Sequence, residues 1–579
     1  MISSMPRELS LSVGQYSDKG RKETNQDFHG VLIPGEPLLS MKGIAVVLTD
    51  GISSSDVSRV ASESAVKSFL TDYYCTSETW SVKTSAQRVI AATNSWLHAQ
   101  TRRGRHPYDS DKGYVCTLSA IVFKSTTAHI FHIGDCRVYR VAGNTLEQLT
   151  DDHRVVISSA ESYLGRALGV NPRIEIDYRP VALDAGEVFV LATDGVYEYV
   201  SPRFITETIA ANADDLDSAA RLVVQAAFDQ GSPDNLTVQI VRVNQLPDAE
   251  TGELMRVPEL PLPPLLEART VFDGYRIIRE IHASSRSHIY LATDMSIDGL
   301  VALKIPSIDL RDDQVYLRRF MIEEWVARRI DSPHVLKPQV QSRPRHYLYA
   351  AMEFVEGQTL TQWMIDNPRP DMETVRKIVE QIAAGLNAFH QKEMLHQDLR
   401  PDNIMIDATG TVRIIDFGST RIAGVAEALP AAGEDILGTV QYTAPEYFLG
   451  TIGTPQSDLY SLGVIAYQML TGELPFGASA ARARTRSQQR KLKYRSAANG
   501  DRTIPVWIDG ALRKAVHPDP AGRYDALSAF VFDLRHPNPA YLSSSAPLLE
   551  RNPVVFWQCV SLLLAGCVAA LLLHAALWP

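Results

Sequence analysis

Among 579 residues there are only five cysteines, Cys75, Cys116, Cys136, Cys559 and Cys567, an odd number with no C-x-x-C spacing. This excludes a disulfide-stapled scaffold and a zinc ribbon and points to a reducing compartment. An excess of basic charge is also missing. The formal net charge of -10 argues against nucleic acid as a main partner, because phosphate neutralisation needs a basic surface. The start, "MISSMPRELSLSVGQ", lacks the apolar run of a signal peptide, so the bulk of the chain is expected in the cytoplasm. Internal repeats are absent.

What is there is a long chain of ordinary globular composition, 45% hydrophobic and 21% charged. One hydrophobic core does not organise that length, so two or more domains are expected. The stretch "NQLPDAETGELMRVPELPLPPLLEART", 244–270, is proline-rich without helical or strand period and reads as a linker. A second polar stretch covers 536–553. Two globular parts follow, 1–243 and 271–535. From Val554 the sequence "VVFWQCVSLLLAGCVAALLLHAALW" carries no formal charge, with Trp557 and Trp578 near its ends. It exceeds the roughly 20 apolar residues that a span needs. Residues 554–578 are therefore expected to form a single C-terminal transmembrane helix. That tail anchor would hold the chain in the inner (cytoplasmic) membrane, with the globular parts on the cytoplasmic side.

In the first part, "GIAVVLTDG" (43–51) and "VFVLATDG" (188–195) share one design, a buried-looking strand that stops at Thr-Asp-Gly. An aspartate at a strand end projects a carboxylate from a rigid scaffold, and the glycine permits a close turn around a ligand. One such pair is an ordinary turn; two are more suggestive. "NQD" (25–27), "FHIGDCRVYR" (131–140) and "SPDNLTVQIV" (232–241) bring the acidic stations to five. Gathered without matching lysines, these carboxylates would repel each other unless hard divalent cations lie between them, and oxygen-only ligation suits Mg²⁺ or Mn²⁺.

These stations, in this order, resemble the metal-dependent PPM-type serine/threonine protein phosphatases over nearly all of 1–243. The resemblance implies two stacked antiparallel sheets flanked by helices, with two or three metals at one edge. Asp27, Asp50, the carbonyl of Gly51, Asp194 and Asp234 would hold the metal pair, and Asp135 matches an additional metal-site aspartate. The implied chemistry is metal-assisted hydrolysis of phosphoprotein by water, without a phosphoenzyme. Where the family usually has an arginine clamping the substrate phosphate, this chain has Lys22 with Arg21 beside it. Lysine supplies charge without a two-pronged fork. Gln26 stands where an acidic residue is frequent.

In the second part, "VALKI" places Lys304 in a strand, and "RRFMIEEWVARRI" follows with helical spacing. It offers Glu323 or Glu324 as the lysine's partner, and the spacing favours Glu323. "HQDLRPDNIMI" sets Asp398 and Asn403 five apart, "VRIIDFGST" puts Asp416 at a strand end, and "GTVQYTAPEY" carries Glu446. The set resembles the eukaryotic-like serine/threonine protein kinases throughout 271–535. That implies a sheet-rich lobe and a helical lobe with Mg-ATP between them. Lys304 would grip phosphates and pair with Glu323, Asp398 would accept the substrate hydroxyl's proton, and Asn403 and Asp416 would hold Mg²⁺. Glu446 would pair with Arg523, and Asp458 would brace the catalytic loop. Gln397 replaces the arginine that often gathers a phosphate on the activation segment, where Ser419, Thr420, Thr439 and Thr443 are possible acceptors. The basic run at 482–495 reads as a solvated face of the large lobe, with docking on acidic substrates or on anionic lipid beneath the anchor as the alternative.

The glycine-rich loop of that family is absent. "HASSRS" has His282, Ser284 and Ser287 at the three glycine positions, Ile281 and Ile289 keep the flanking apolar sites, and Arg286 sits at the tip. The expectation is an α+β multidomain protein, a β-sandwich phosphatase domain and a bilobal kinase domain plus the transmembrane helix. It would remove phosphate from protein serine and threonine with one domain and add it with the other. The alternative is an active phosphatase regulated by a pseudokinase that senses nucleotide or docks substrates. Oligomeric state is left open.

Overall fold

A computed structural model describes residues 8–158, 161–247, 260–284, 286–339, 343–427, 441–499, 504–542, 556–566 and 568. In the first part, two five-stranded antiparallel sheets stack face to face. One sheet runs Ser10–Asp18, Leu236–Gln245, Val188–Ala192, Arg137–Ala142, Thr145–Gln148; the other runs Asp177–Ala182, Thr127–Ile133, Leu118–Lys124, Ile44–Thr49, Phe28–Leu32. Between them lies a dry layer including Val46, Leu48, Phe123, Phe189 and Leu191. Helices Ser58–Cys75 and Val82–Arg103 cover the outer face of one sheet, and Pro202–Ala211 and Leu216–Asp229 that of the other. Strands Ile44–Thr49 and Leu118–Lys124 are buried at every residue. That is why they read as continuous apolar runs and not as an alternation.

Register decides where the acidic stations go. Phe28 pairs with Thr49, and Ala192 pairs with both Val238 and Arg137. The start of one strand therefore lies at the end of its neighbour, and Asp27, Asp50, Asp194 and Asp234 reach one edge of the sandwich from four strand ends.

The second part begins with a sheet of five strands in sequence order, Val271–Phe272, Tyr275–Ala283, Ser287–Asp294, Gly299–Pro306 and Ala350–Glu353, with helix Gln314–Arg329 against it. A helical lobe follows, built on Met372–His390, Pro455–Thr471, Val506–Ala515 and Leu527–Arg535. Its core includes Ile382, Leu386, Leu462 and Leu512, all fully buried. Arg523, without exposed surface in its side chain, forms a two-pronged pair with Glu446 at 2.7 and 2.8 Å and ties this lobe together. In the basic run, Arg484 lies over the Phe448 ring and Arg495 pairs with Glu473 at 3.0 Å.

The C-terminal stretch corrects the sequence expectation. Of 554–578, residues 556–566 and 568 are described and are helical, and among the described residues no helix is long and apolar enough to cross a membrane. Apolar composition is not sufficient: a span also needs an unbroken helix of about 20 residues to satisfy its own backbone in lipid. The rest of that stretch, with Cys567 and Trp578, lies outside the described residues, as do Ser285, Thr439 and parts of both linkers. Cys75, Cys116, Cys136 and Cys559 are free thiols.

Candidate active sites

The acidic edge of the sandwich is built around Asp27. One oxygen of its carboxylate accepts hydrogen bonds from the hydroxyls of Thr193 (3.1 Å) and Thr237 (2.7 Å). Its other oxygen, Oδ1, is buried without a hydrogen-bond partner. Burial, with Asp234 as a lesser contributor, pushes Asp27 up to about 6 despite those hydroxyls. Burial and then Asp27 and Asp194 raise Asp50 well above the ordinary range, and burial followed by Asp135 and Asp234 pushes Asp194 up to about 7. These are carboxylates held together against their own repulsion. An orphaned buried carboxylate oxygen beside them fits a divalent cation, the compensation missing from the chain itself.

Among the described residues, no three His, Cys, Asp or Glu side chains form a ready-made cage. Gly51 packs where a Cβ would come within 2.8 Å of the Ser62 hydroxyl and 2.9 Å of the Gln26 carbonyl. Gln26 has turned structural, donating to the Ser55 carbonyl (2.9 Å) and the Ser58 hydroxyl (2.7 Å) and so shaping the loop after Asp50.

Lys22 reaches this edge, 3.3 Å from Asp234 and 2.9 Å from the Ser53 hydroxyl. Arg21 turns aside, lying over the Phe228 ring and donating to the carbonyls of Phe228 and Gly231. An unforeseen residue takes the central place. Arg154 donates to Asp135 (2.7 Å), Asp194 (2.8 Å) and Glu198 (2.7 Å). No motif marks Arg154; only the hairpin Arg154–Ser158 with Glu161–Leu164 carries it over the edge. The one signal available is an arginine two residues past the "LTDD" turn, which is weak.

The second site lies in a cleft of about 1370 Å³ between the two lobes. Lys304 pairs with Glu323 at 2.6 Å and stands 3.6 Å from Asp416. Burial works against the lysine's charge, but Asp416 and Glu323 outweigh it and hold Lys304 above its ordinary range. Glu324, the other candidate, instead binds Arg345 and Arg328. Asn403 donates to the Asp398 carbonyl (2.8 Å) and carboxylate (3.3 Å), which fixes the loop between them. Burial raises Asp398 above the ordinary carboxylate value against the pull of Arg400. Asp458 accepts the N–H groups of His396 and Gln397, each at 3.0 Å, and a bond from His390 at 2.8 Å. Gln397 itself takes a left-handed backbone, φ 65°.

Ile281, Ile289 and Arg286 line the same cleft. The glycine-free loop is drawn inward by Ser284, whose hydroxyl accepts the N–H of Arg286 (3.3 Å) and of Ser287 (3.1 Å) and donates to the Ser287 carbonyl (3.0 Å). The Arg286 carbonyl accepts from Ser307 at 2.8 Å and from the Tyr316 hydroxyl. Two backbone N–H groups that a phosphate could use thus already have a partner.

Comparison with known proteins divides the chain in the same way. The family described as Protein phosphatase 2C matches residues 15–230, and the family described as Protein kinase domain matches 275–532. Serine/threonine-protein kinase PrkC of Bacillus subtilis is 30% identical over 276 residues, 47% of this chain and 41% of that protein, so the chain spans under half the length of that relative. Serine/threonine-protein kinase PknL of Mycobacterium bovis is 30% identical over 269 residues, covering 46% of this chain and 67% of PknL. Among solved structures, the Mycobacterium tuberculosis PknI kinase domain matches at 26% identity with a TM-score of 0.36, over 47% of this chain and 99% of that one. PppA of Pseudomonas aeruginosa matches at 20% identity and 0.34, over 41% and 99%. The chain thus belongs to the bacterial serine/threonine protein kinases, with a protein phosphatase 2C domain joined ahead of its kinase domain.

Proposed function

We propose that this chain is a bifunctional signalling enzyme that hydrolyses phosphoserine and phosphothreonine on proteins with 1–243 and phosphorylates protein serine and threonine from Mg-ATP with 271–535. The observation that carries the reading is that each domain gathers its whole set of charged groups at one place. Asp27, Asp50, Asp194 and Asp234 share one edge of the sandwich, two from each sheet, and Lys304, Glu323, Asp398, Asn403 and Asp416 share one cleft.

At the first site, Asp27, Asp50, the Gly51 carbonyl, Asp194 and Asp234 would hold the cations. Mg²⁺ or Mn²⁺, when bound, supplies acidified water and neutralises phosphate charge. Lys22 lies within reach of the same edge and supplies positive charge toward a substrate phosphate. Arg154 bridges Asp135 and Asp194 and would compete with the cations for Asp194. At the second site Lys304, oriented by Glu323, meets the ATP phosphates, and Asn403 and Asp416 would hold Mg²⁺. Asp398, raised by burial, is suited to take the proton of the substrate hydroxyl as it attacks.

A second reading, a pseudokinase, is favoured by the Ser284 hydroxyl bonding the N–H groups of its own loop. One experiment separates them. With the phosphatase silenced by Asp194→Asn, the chain incubated with Mg-ATP accumulates phosphate, and adding Asp398→Asn abolishes it. A silenced chain that stays unphosphorylated on itself and on a generic protein substrate means the pseudokinase reading wins.

A further inference from the structure

The two domains touch, and the contact has the chemistry of a built interface. The segment 76–84 of the phosphatase domain, with the first turn of helix Val82–Arg103, seats against the kinase domain behind its cleft. Two kinase carboxylates stand at that helix N-terminus. Glu393 accepts from the Ser81 N–H (2.7 Å) and the Thr84 hydroxyl (2.6 Å), and Glu427 accepts from the Val82 N–H (3.0 Å). Free backbone N–H groups and the positive end of the helix dipole both favour an anion there.

Lys124 makes the contact obligatory in charge. Its side chain is 1% exposed, and its ammonium donates to the Gly424 carbonyl at 2.6 Å and pairs with Glu427 at 3.2 Å, across 303 residues of chain. A buried ammonium is costly without an opposite charge, and its ion-pair partner lies on the other domain. Gly424 is shaped for the same approach: its N–H donates to the Thr79 carbonyl at 3.0 Å, and a Cβ there would lie 2.6 Å from the Glu78 carbonyl. Trp80 donates to the Gln391 carbonyl at 3.1 Å, and Glu78 pairs with Arg329 at 2.7 Å.

The kinase elements gripped are three, and each positions one member of the cleft. Arg329 ends the helix that carries Glu323. Residues 391–393 lead into the loop of Asp398. Residues 421–427 open the segment that follows Asp416, and Arg421–Ile422 pair with Met394–Leu395 so that the last two move together. We infer that the phosphatase domain is a docked brace of the kinase domain in the same chain, holding these three elements in alignment so that phosphotransfer is fast only while the two domains are engaged. This rests on the kinase reading above for its rate, though not for the docking itself.

The test uses the full chain with charge reversal at the interface. In Glu427→Lys, deuterium uptake at 76–84 and 391–395 rises, and phosphotransfer, measured with the phosphatase silenced by Asp234→Asn, falls about tenfold, a usual size for coupling between sites. Hydrolysis of p-nitrophenyl phosphate by the unsilenced Glu427→Lys chain stays unchanged and certifies the fold. The double change Lys124→Glu with Glu427→Lys restores both readings. Where charge reversal unfolds the chain, Trp80→Ala with Glu393→Gln takes its place with the same expectation. Uptake that does not change overturns the docking face, and raised uptake with an unchanged transfer rate overturns the brace. An Asp234→Asn chain that transfers no phosphate before any interface substitution defeats the kinase reading and the brace with it, while uptake still decides the docking.

Discussion

The two sites handle negative charge in opposite ways. At the kinase cleft the chain supplies its own cations: Lys304 stands between Glu323 and Asp416, and Asp416 stays below the ordinary carboxylate value although burial works against it. At the phosphatase edge the carboxylates face one another, and Asp27 and Asp194 are pushed up to about 6 and about 7. The first site is assembled and waits for its nucleotide. The second is assembled under strain and is completed by cations from outside.

The largest test of that contrast removes the cations or one carboxylate. Chelation should abolish hydrolysis of a small phosphate ester, with Mn²⁺ or Mg²⁺ restoring it, and Asp50→Asn should cost on the order of a thousandfold in rate, the scale of losing a fixed electrostatic contact to a reacting group. Full activity in chelator would break the comparison at its root.

Arg154 is the place where the phosphatase edge most resembles the kinase cleft, a chain cation among carboxylates. Arg154→Ala should expose Asp135 and Asp194 and tighten Mn²⁺ binding by roughly tenfold, the usual weight of a neighbour to metal ligands. Titration calorimetry reads this directly, and an unchanged affinity and stoichiometry would make Arg154 irrelevant to the metals.

The shifted carboxylates also predict how stability depends on pH. Without metal, the acidic edge binds more protons folded than unfolded between the ordinary aspartate value of 3.8 and about 7, so its contribution to stability falls as pH rises through that window, while His129 and His132, pushed down to about 4 by burial, contribute with the opposite sign. Asp416, held low, contributes stability at neutral pH that is lost as pH falls below the carboxylate range. In calorimetry, Mn²⁺ should raise the phosphatase transition by several degrees more at pH 7.5 than at pH 5, because the raised carboxylates are more fully ionised at the higher pH. An Mn²⁺ stabilisation that does not grow with pH contradicts the assigned strain.

The smallest effect belongs to the glycine-free loop. Ser284→Gly releases the N–H groups of Arg286 and Ser287 and should strengthen ATP binding by a few-fold, about one hydrogen bond's net worth or less. Weaker binding would show that the serine hydroxyl serves the nucleotide after all.

How much of this was readable in advance follows the range of the interactions. The acidic stations were legible because strand ends are local features: "VVLTDG" and "FVLATDG" announce a buried strand and its turn within a few residues. Glu323 was separable from Glu324 by helical spacing, and the two do face different partners, Lys304 and Arg345. Ser284 was not legible in the same way. Its residue type allowed either a bond to phosphate or a bond to its own loop, and only the loop's closure chose the second. The terminal stretch was read from hydropathy alone, and among the described residues no helix is long and apolar enough to cross a membrane.

By itself, then, the sequence determined the two domains, the strand-end carboxylates and the lysine–glutamate pair, because each depends on periodicity and spacing over tens of residues at most. The tertiary structure alone decided that Arg21 turns away, that Arg154 swings over Asp135 and Asp194, and that Lys124 finds Glu427 on the other domain. A charged side chain's partner is set by which surfaces come together and how far water is excluded from them, and neither is written in the local order of residues.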